Sequence, residues 1–297
     1  MVTTLIEAIE LRKSYGTHEA VKGIDFWVAE GSICAFLGQN GAGKSSTIKM
    51  LLGMIHPSGG SGAIFGHRID RESDSLLIRQ KTAFVAEDKR LYDYMTVEEI
   101  IHFTRSFFPT WDSAFERELL QRFDLPRKRK IRQLSKGMRT KLALLLGFAR
   151  GSHLLILDEP TEGLDPVAIE DVLQIVVSLA AQGRTIFFSS HQIAEVEQIA
   201  DRVLMINRGE IVLDASMDEV KQEYRHIQAV FPEPVEARDF QLPGIESLQL
   251  NGRVASLAVS HNLASITEHV RMMRANSIDV LPLSLKEIFL EKVKARP

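Results

Sequence analysis

Residues 38–45 read GQNGAGKS, a glycine-rich loop ending in Gly-Lys-Ser. Glycines lack a Cβ, so consecutive backbone N–H groups can curl around a phosphate while the following helix aims its positive end at the same charge. In this reading Lys44 reaches the terminal phosphates of a nucleoside triphosphate and Ser45 ligates Mg²⁺. The flanks supply the context such a loop requires. Residues 32–37 form a short apolar run that reads as a strand. From Lys44 the spacing of Ile48, Met50, Leu51, Leu52 and Ile55 predicts a helix that stops at Pro57 and the cluster SGGSG.

Upstream, the apolar bursts at 5–11 and 24–28, with turn residues at Tyr15, Gly16 and Gly31, predict an antiparallel strand pair. Downstream, residues 96–150 are rich in helical periodicity and poor in strand patterns, and Thr96 with Glu99 has the form of a capping box. This stretch is read as an inserted helical subdomain. Strand patterns at 154–157, 185–189 and 203–207 then alternate with helical ones at 167–181 and 193–200. That alternation predicts an α/β fold with a parallel sheet covered on both faces. Beyond about residue 222 the texture changes to FPEPV, QLPG and an Asn251-Gly252 pair between two alternating runs, a hairpin signal. A helix near 265–274, a strand at 278–281 and a helix from Leu285 complete a small α+β module over 222–297.

A chain of 297 residues suits one large domain with an appendage. The net charge of -3 gives no global basic surface, and the one basic cluster, RKRKIR at 127–132, reads as a solvated helix end, so no nucleic-acid partner is expected. Cys34 is the only cysteine, which excludes an internal disulfide; its apolar neighbours make it a buried strand thiol, in keeping with a reducing cytosol. The longest apolar runs, 142–149 and 175–181, fall well short of the about 18 residues of a membrane span. No secretory signal is expected from MVTTLIEAIELRK.

Two further segments carry chemistry. LSKGM occupies 134–138, and LLILDEP occupies 154–160. The second is a buried strand delivering Asp158 and Glu159 to the C-terminal edge of a parallel sheet, where one acid can hold Mg²⁺ and the other orient water. Alone, such a run is better read as a strand ending in a capped turn; beside a phosphate loop the balance inverts. Ser135 and Gly137 open a helix whose positive end either suits a γ-phosphate or is simply capped. His191 follows the strand TIFFSS.

In their order, GQNGAGKS, LSKGM, LLILDEP, GLDP at 163–166 and His191 resemble the ATP-binding cassette family, over residues 3 to about 220. The resemblance implies an ABC-type P-loop ATPase core over 3–221, with an antiparallel β subdomain and a helical subdomain at about 88–150. It implies ATP and Mg²⁺ as ligands. Tyr15 would stack on adenine. Gly38, Gln39, Asn40, Gly41, Ala42, Gly43, Lys44, Ser45 and Ser46 would bind phosphate and metal, and Asp158 would hold Mg²⁺ through water. Glu159 would be the base polarising the attacking water, with His191 on the γ-phosphate. Ser135 and Gly137 would face the ATP of a partner cassette and Asp165 would lie at the contact, which implies a head-to-tail pair with a second copy or a paralogous cassette.

Two departures stand out. Glu87 occupies the place of the family's usual Gln, a metal and water contact, and a carboxylate can still bind Mg²⁺. LSKGM replaces the commoner LSGGQ, putting a cation at Lys136 and Met138 where Gln would hydrogen-bond. The resemblance further implies a motor subunit of exporter type, on the cytoplasmic face of the cell membrane, serving a separate membrane permease. Residues 88–108 carry Leu91, Tyr92, Tyr94, Ile100, Phe103, Phe107 and Phe108, and are expected to form the groove that receives a permease helix. Ordinary packing of the helical subdomain is the alternative for any one of them. A soluble cassette ATPase acting on ribosomes or DNA is the other class of reading. It is disfavoured by the single copy and by the absence of a heptad run between Lys44 and Asp158. A nucleotide-gated module without turnover is disfavoured because Lys44, Glu159 and His191 are all present.

Overall fold

The computed structural model describes residues 3–294. The chain divides into two compact units, one up to Asp214 and one from Ala215. Residues 295–297, the end of the expected C-terminal module, lie outside the described residues.

The first unit opens on β1 (Thr4–Tyr15) and β2 (His18–Ala29), which pair antiparallel. After β3 (Ile33–Leu37) and α1 (Lys44–Leu51), β4 (Gly59–Ile64) returns along β1, and β5 (His67–Arg68) closes a sheet ordered β2-β1-β4-β5. Here the sequence reading is corrected twice. α1 ends a turn sooner than its apolar spacing implies, before Gly53 at φ +61°. The cluster read as a helix stop is itself strand, because its glycines let two backbones approach closely: a Cβ on Gly60 would lie 2.0 Å from the Glu10 carbonyl oxygen.

α2 (Glu72–Lys81) leads into β6 (Thr82–Val85). The helical subdomain follows as α3 (Val97–Arg105), α4 (Ser113–Arg122) and α5 (Lys136–Phe148). Thr96 and Glu99 do form a reciprocal capping box at the start of α3. The basic run 127–132 lies beyond the end of α4, mostly as exposed loop. β7 (Leu154–Asp158), α6 (Pro166–Ala181), β8 (Thr185–Ser190), α7 (Ile193–Ile199), β9 (Arg202–Asn207) and β10 (Glu210–Ser216) complete the unit's elements.

The six-stranded sheet runs β10-β9-β3-β8-β7-β6, with β9, β3, β8, β7 and β6 parallel. Every residue of β3, β7 and β8 is buried, as expected for strands covered on both faces. The two sheets share one apolar core, in which Phe26 of β2 stacks on Phe36 of β3 and Phe187 of β8 at centroid distances of 6.1 and 6.0 Å. Because β3, β6, β7 and β8 are parallel, their C-terminal ends meet at one edge. That edge receives the glycine-rich loop, Glu87, the acidic pair and His191.

The second unit holds α8 (Met217–Glu223), β11 (Arg225–Val230), β12 (Ile245–Asn251), β13 (Val254–Val259), α9 (Leu263–Met272), β14 (Ser277–Pro282) and α10 (Leu285–Lys294). Its sheet is antiparallel, ordered β12-β13-β11-β14, with Ile266 and Val270 of α9 buried in its core. Asn251 pairs with Val254, so Gly252 at φ +60° and Arg253 form the two-residue loop, one position later than the Asn-Gly signal suggests.

Candidate functional site

The glycine-rich loop turns into α1 at Gly43, the helix N-cap, with φ +113°. A Cβ there would stand 2.5 Å from the Ala20 carbonyl oxygen. Gly43→Ala therefore meets both backbone strain and a rigid clash, and is expected to cost at least about 1–3 kcal/mol of stability, measured as a lowered midpoint in urea. An unchanged midpoint would show that the loop has another conformation within easy reach.

Lys44 folds back over this loop. Its Nζ donates to the carbonyls of Gly38 at 2.7 Å and Gln39 at 3.3 Å, and lies 3.2 Å from Glu159 Oε1, with both side chains buried. The other oxygen of Glu159, Oε2, is 2.9 Å from His191 Nδ1, a contact that requires Nδ1 to carry the proton when the carboxylate is ionised. Lys44, Glu159 and His191 thus converge from three different elements.

The two acids at the end of β7 have different surroundings. Asp158 is buried, and its Oδ1 accepts from Ser189 Oγ at 2.5 Å. The same Ser189 Oγ accepts the backbone N–H of Glu159 at 3.0 Å. Ser189 thereby ties both acids to β8, a role the sequence reading missed. The available signal was a pair of serines ending an apolar, buried strand, since a buried hydroxyl needs a partner. Glu159 has φ +48°, left-handed backbone that a glutamate enters only when its surroundings hold it there. Its carbonyl accepts from Lys89 Nζ at 3.1 Å. Burial pulls the Lys89 ammonium below the usual lysine range, opposed by the nearby carboxylates of Glu162, Glu87 and Asp158.

A cleft of about 380 Å³ opens over the loop. Gln39, Asn40, Gly41, Gly43, Lys44, Ser45 and Ser46 line its floor, Glu87 and Glu159 one wall, and Tyr15 another, with His18 and Ala20 beside it. Tyr15 is half exposed, its hydroxyl 3.5 Å from Ser46 Oγ and its ring under Lys13 Nζ at 5.1 Å from the centroid. The ring is therefore free to take a planar partner on its open side. Gly38 and Ala42 are buried behind the loop.

Ser135, Gly137 and Asp165 do not line this cleft. Ser135 Oγ accepts from the Met138 N–H at 3.2 Å and so caps its own helix, α5. Asp165 caps α6 by accepting from the Ala168 N–H at 3.0 Å, which holds its carboxyl below the usual range. Between them, Lys136 Nζ pairs with Glu162 Oε1 at 2.6 Å. These residues lie outside the cleft lining, while Glu162, the partner of Lys136, donates its N–H to the Glu159 carbonyl at 3.3 Å.

Residues 21–162 match the family model described as ABC transporter. YtrB, an ABC transporter ATP-binding protein of Bacillus subtilis, is 27% identical over 97% of this chain and 98% of its own length. The bacitracin transport ATP-binding protein BcrA of Bacillus licheniformis is 33% identical over 75% of this chain and 74% of its own. The chain spans between 64% and 98% of the length of bacterial relatives such as these, and 9% of the much longer ATP-binding cassette sub-family A member 7 of Mus musculus. A solved ATP-binding subunit of an ABC transporter superposes with a TM-score of 0.67 at 30% identity, over 73% of this chain and 92% of that one. A cassette from MJ0796, solved as a dimer with ADP and Pi, has the same fold, with a TM-score of 0.65 at 22% identity over 72% and 99%. A glycine-rich loop, its lysine and an acidic pair gathered on one sheet edge, with these likenesses, place the chain in the ABC transporter family as an ATP-binding ATPase subunit.

Proposed function

We propose that the chain works as a head-to-tail pair, with a second copy or a paralogous cassette, and drives a separate membrane permease as an exporter from the cytoplasmic face of the cell membrane. The convergence of Lys44, Glu159 and His191 carries the catalytic part of this reading. Lys44 binds the terminal phosphates, Glu159 takes a proton from the attacking water, and His191, hydrogen-bonded to Glu159, keeps that carboxylate in line. Tyr15 offers its exposed face to the adenine ring. Among the described residues no cluster of three or more acidic, His or Cys side chains could cage a metal. Ser45, Asp158 and Glu87 nonetheless offer the hard oxygen donors that suit Mg²⁺, whose remaining ligands would be water and phosphate. Bound there, Mg²⁺ would neutralise charge on the phosphates.

The pairing rests on the surface built from Ser135, Gly137, Lys136 and Asp165. It lies outside the cleft, with a helix N-terminus and an exposed lysine that suit the phosphates of a nucleotide held by another protomer. MJ0796, with the same fold, has been solved as a dimer. The permease rests on the apolar surface of the helical subdomain and on the transport names of relatives such as BcrA. Among the described residues no helix is long and apolar enough to cross a membrane.

Tyr92, Tyr94, Phe103 and Phe107 are exposed, and their rings form a chain with centroid spacings of 5.8, 5.8 and 5.0 Å. Ile100, expected beside them, is instead buried as part of the core. Leu91 and Phe108 line a neighbouring groove of about 220 Å³. An exposed aromatic cluster of this kind marks a protein contact. Tyr94→Asp is expected to abolish co-purification with the permease while leaving basal ATPase within about twofold, since Tyr94 is two-thirds exposed. Unchanged co-purification across several such substitutions refutes the docking surface and favours a cassette ATPase that serves no permease.

A further inference from the structure

The carbonyl of Glu159 receives a side chain from outside the acidic loop. Glu159 sits at φ +48°, so its peptide geometry persists only while its neighbours hold it. Its N–H is fixed by Ser189. Its carbonyl accepts two hydrogen bonds, one from the Glu162 N–H at 3.3 Å within the same turn, and one from Lys89 Nζ at 3.1 Å. Lys89 lies 70 positions away in the chain, in the segment that follows β6 and Glu87. Its ammonium feels the charge of the Glu162, Glu87 and Asp158 carboxylates, with Lys136 the opposing cation. A half-buried lysine among three acids would ordinarily pair with one of them. Within ion-pair distance it does not, and it is directed at a main-chain oxygen instead.

We infer that Lys89 is a positioning residue for hydrolysis: it fixes the peptide plane after Glu159, and so the direction in which the Glu159 carboxylate leaves the backbone. This rests on the reading of Glu159 as the base. Rotation about the strained residue moves the carboxylate relative to the terminal phosphate. The phosphate loop, which Lys89 does not touch, stays as it is. The consequence is a defect confined to turnover.

Lys89→Met keeps most of the stem and removes the donor. It is expected to lower kcat at least about tenfold, the scale of a sub-ångström misplacement of a reacting group, with KM for ATP within about twofold. Lys89→Arg, which keeps a cation and donors, is expected to recover part of the rate. In a Glu159→Gln background, Lys89→Met is expected to change the residual rate by less than twofold, because the group it positions is already gone. A merely structural role would instead raise KM, lower the melting temperature and persist in that background. Parental kcat in Lys89→Met, or a full second loss added to Glu159→Gln, overturns the assignment while leaving Glu159 as the base. Normal turnover in Glu159→Gln alone overturns the underlying reading, and this inference with it.

Discussion

Glu159→Gln is expected to lower ATP turnover by about 10²–10⁴-fold, the usual contribution of a positioned general base, while ATP is held at least as tightly as by the parent. The amide keeps the shape of the side chain and can still accept from His191 Nδ1, so the local packing survives. What it loses is the charge. Glu159 lies 3.2 Å from Lys44 Nζ, where it occupies the cation that a terminal phosphate needs. Removing the carboxylate frees Lys44 for phosphate and removes the base in one step. ATP is then bound and not cleaved, and the composite-site arrangement predicts a stable pair of protomers. Size-exclusion chromatography with ATP and Mg²⁺ should show a species of twice the mass that is absent with ADP. A monomer with normal turnover would refute both the catalytic assignment and the composite site.

The parts of this site that were legible in the sequence are those where a local stereochemical requirement leaves a residue-type signature. Gly43 must be glycine at φ +113° against the Ala20 carbonyl, and the motif records that need. Asp158 and Glu159 end an unbroken apolar run, which puts them at a sheet edge. Thr96 and Glu99 show their capping box at a spacing of three residues. Each requirement lies within a few positions of the chain.

What was not legible depends on partners far apart in sequence. β4 reads as a turn because SGGSG has the composition of one; it is a strand because β1 is there to pair with it, and glycine is what the close approach at Glu10 demands. Ser189 and Lys89 act on Glu159 over 30 and 70 positions, and neither residue type announces such a role. Ser135 and Asp165 show a related ambiguity. Their side chains cap their own helices, so the same residues satisfy a local rule and occupy the surface proposed for the partner. Residue type alone does not separate the two roles.

Lys44→Ala is expected to weaken ATP binding by about 100-fold or more, the loss of two charge-assisted hydrogen bonds at roughly 1.5 kcal/mol each. A second effect must be separated from it. Lys44 is the buried cation beside Glu159, with both side chains less than a tenth exposed, so the substitution leaves that carboxylate with only His191. Breaking a buried pair by removing one partner costs up to about 3–5 kcal/mol. The variant should therefore melt earlier than the parent without nucleotide, which by itself would mimic a binding defect. Adding Glu159→Gln removes the stranded charge, and the double variant is expected to regain most of the lost stability while still failing to bind. Fluorescent ATP titration of the folded double variant isolates the phosphate contact. If it binds as tightly as Glu159→Gln alone, Lys44 makes no contact with the phosphates and the reading of residues 38–45 as a phosphate loop is wrong.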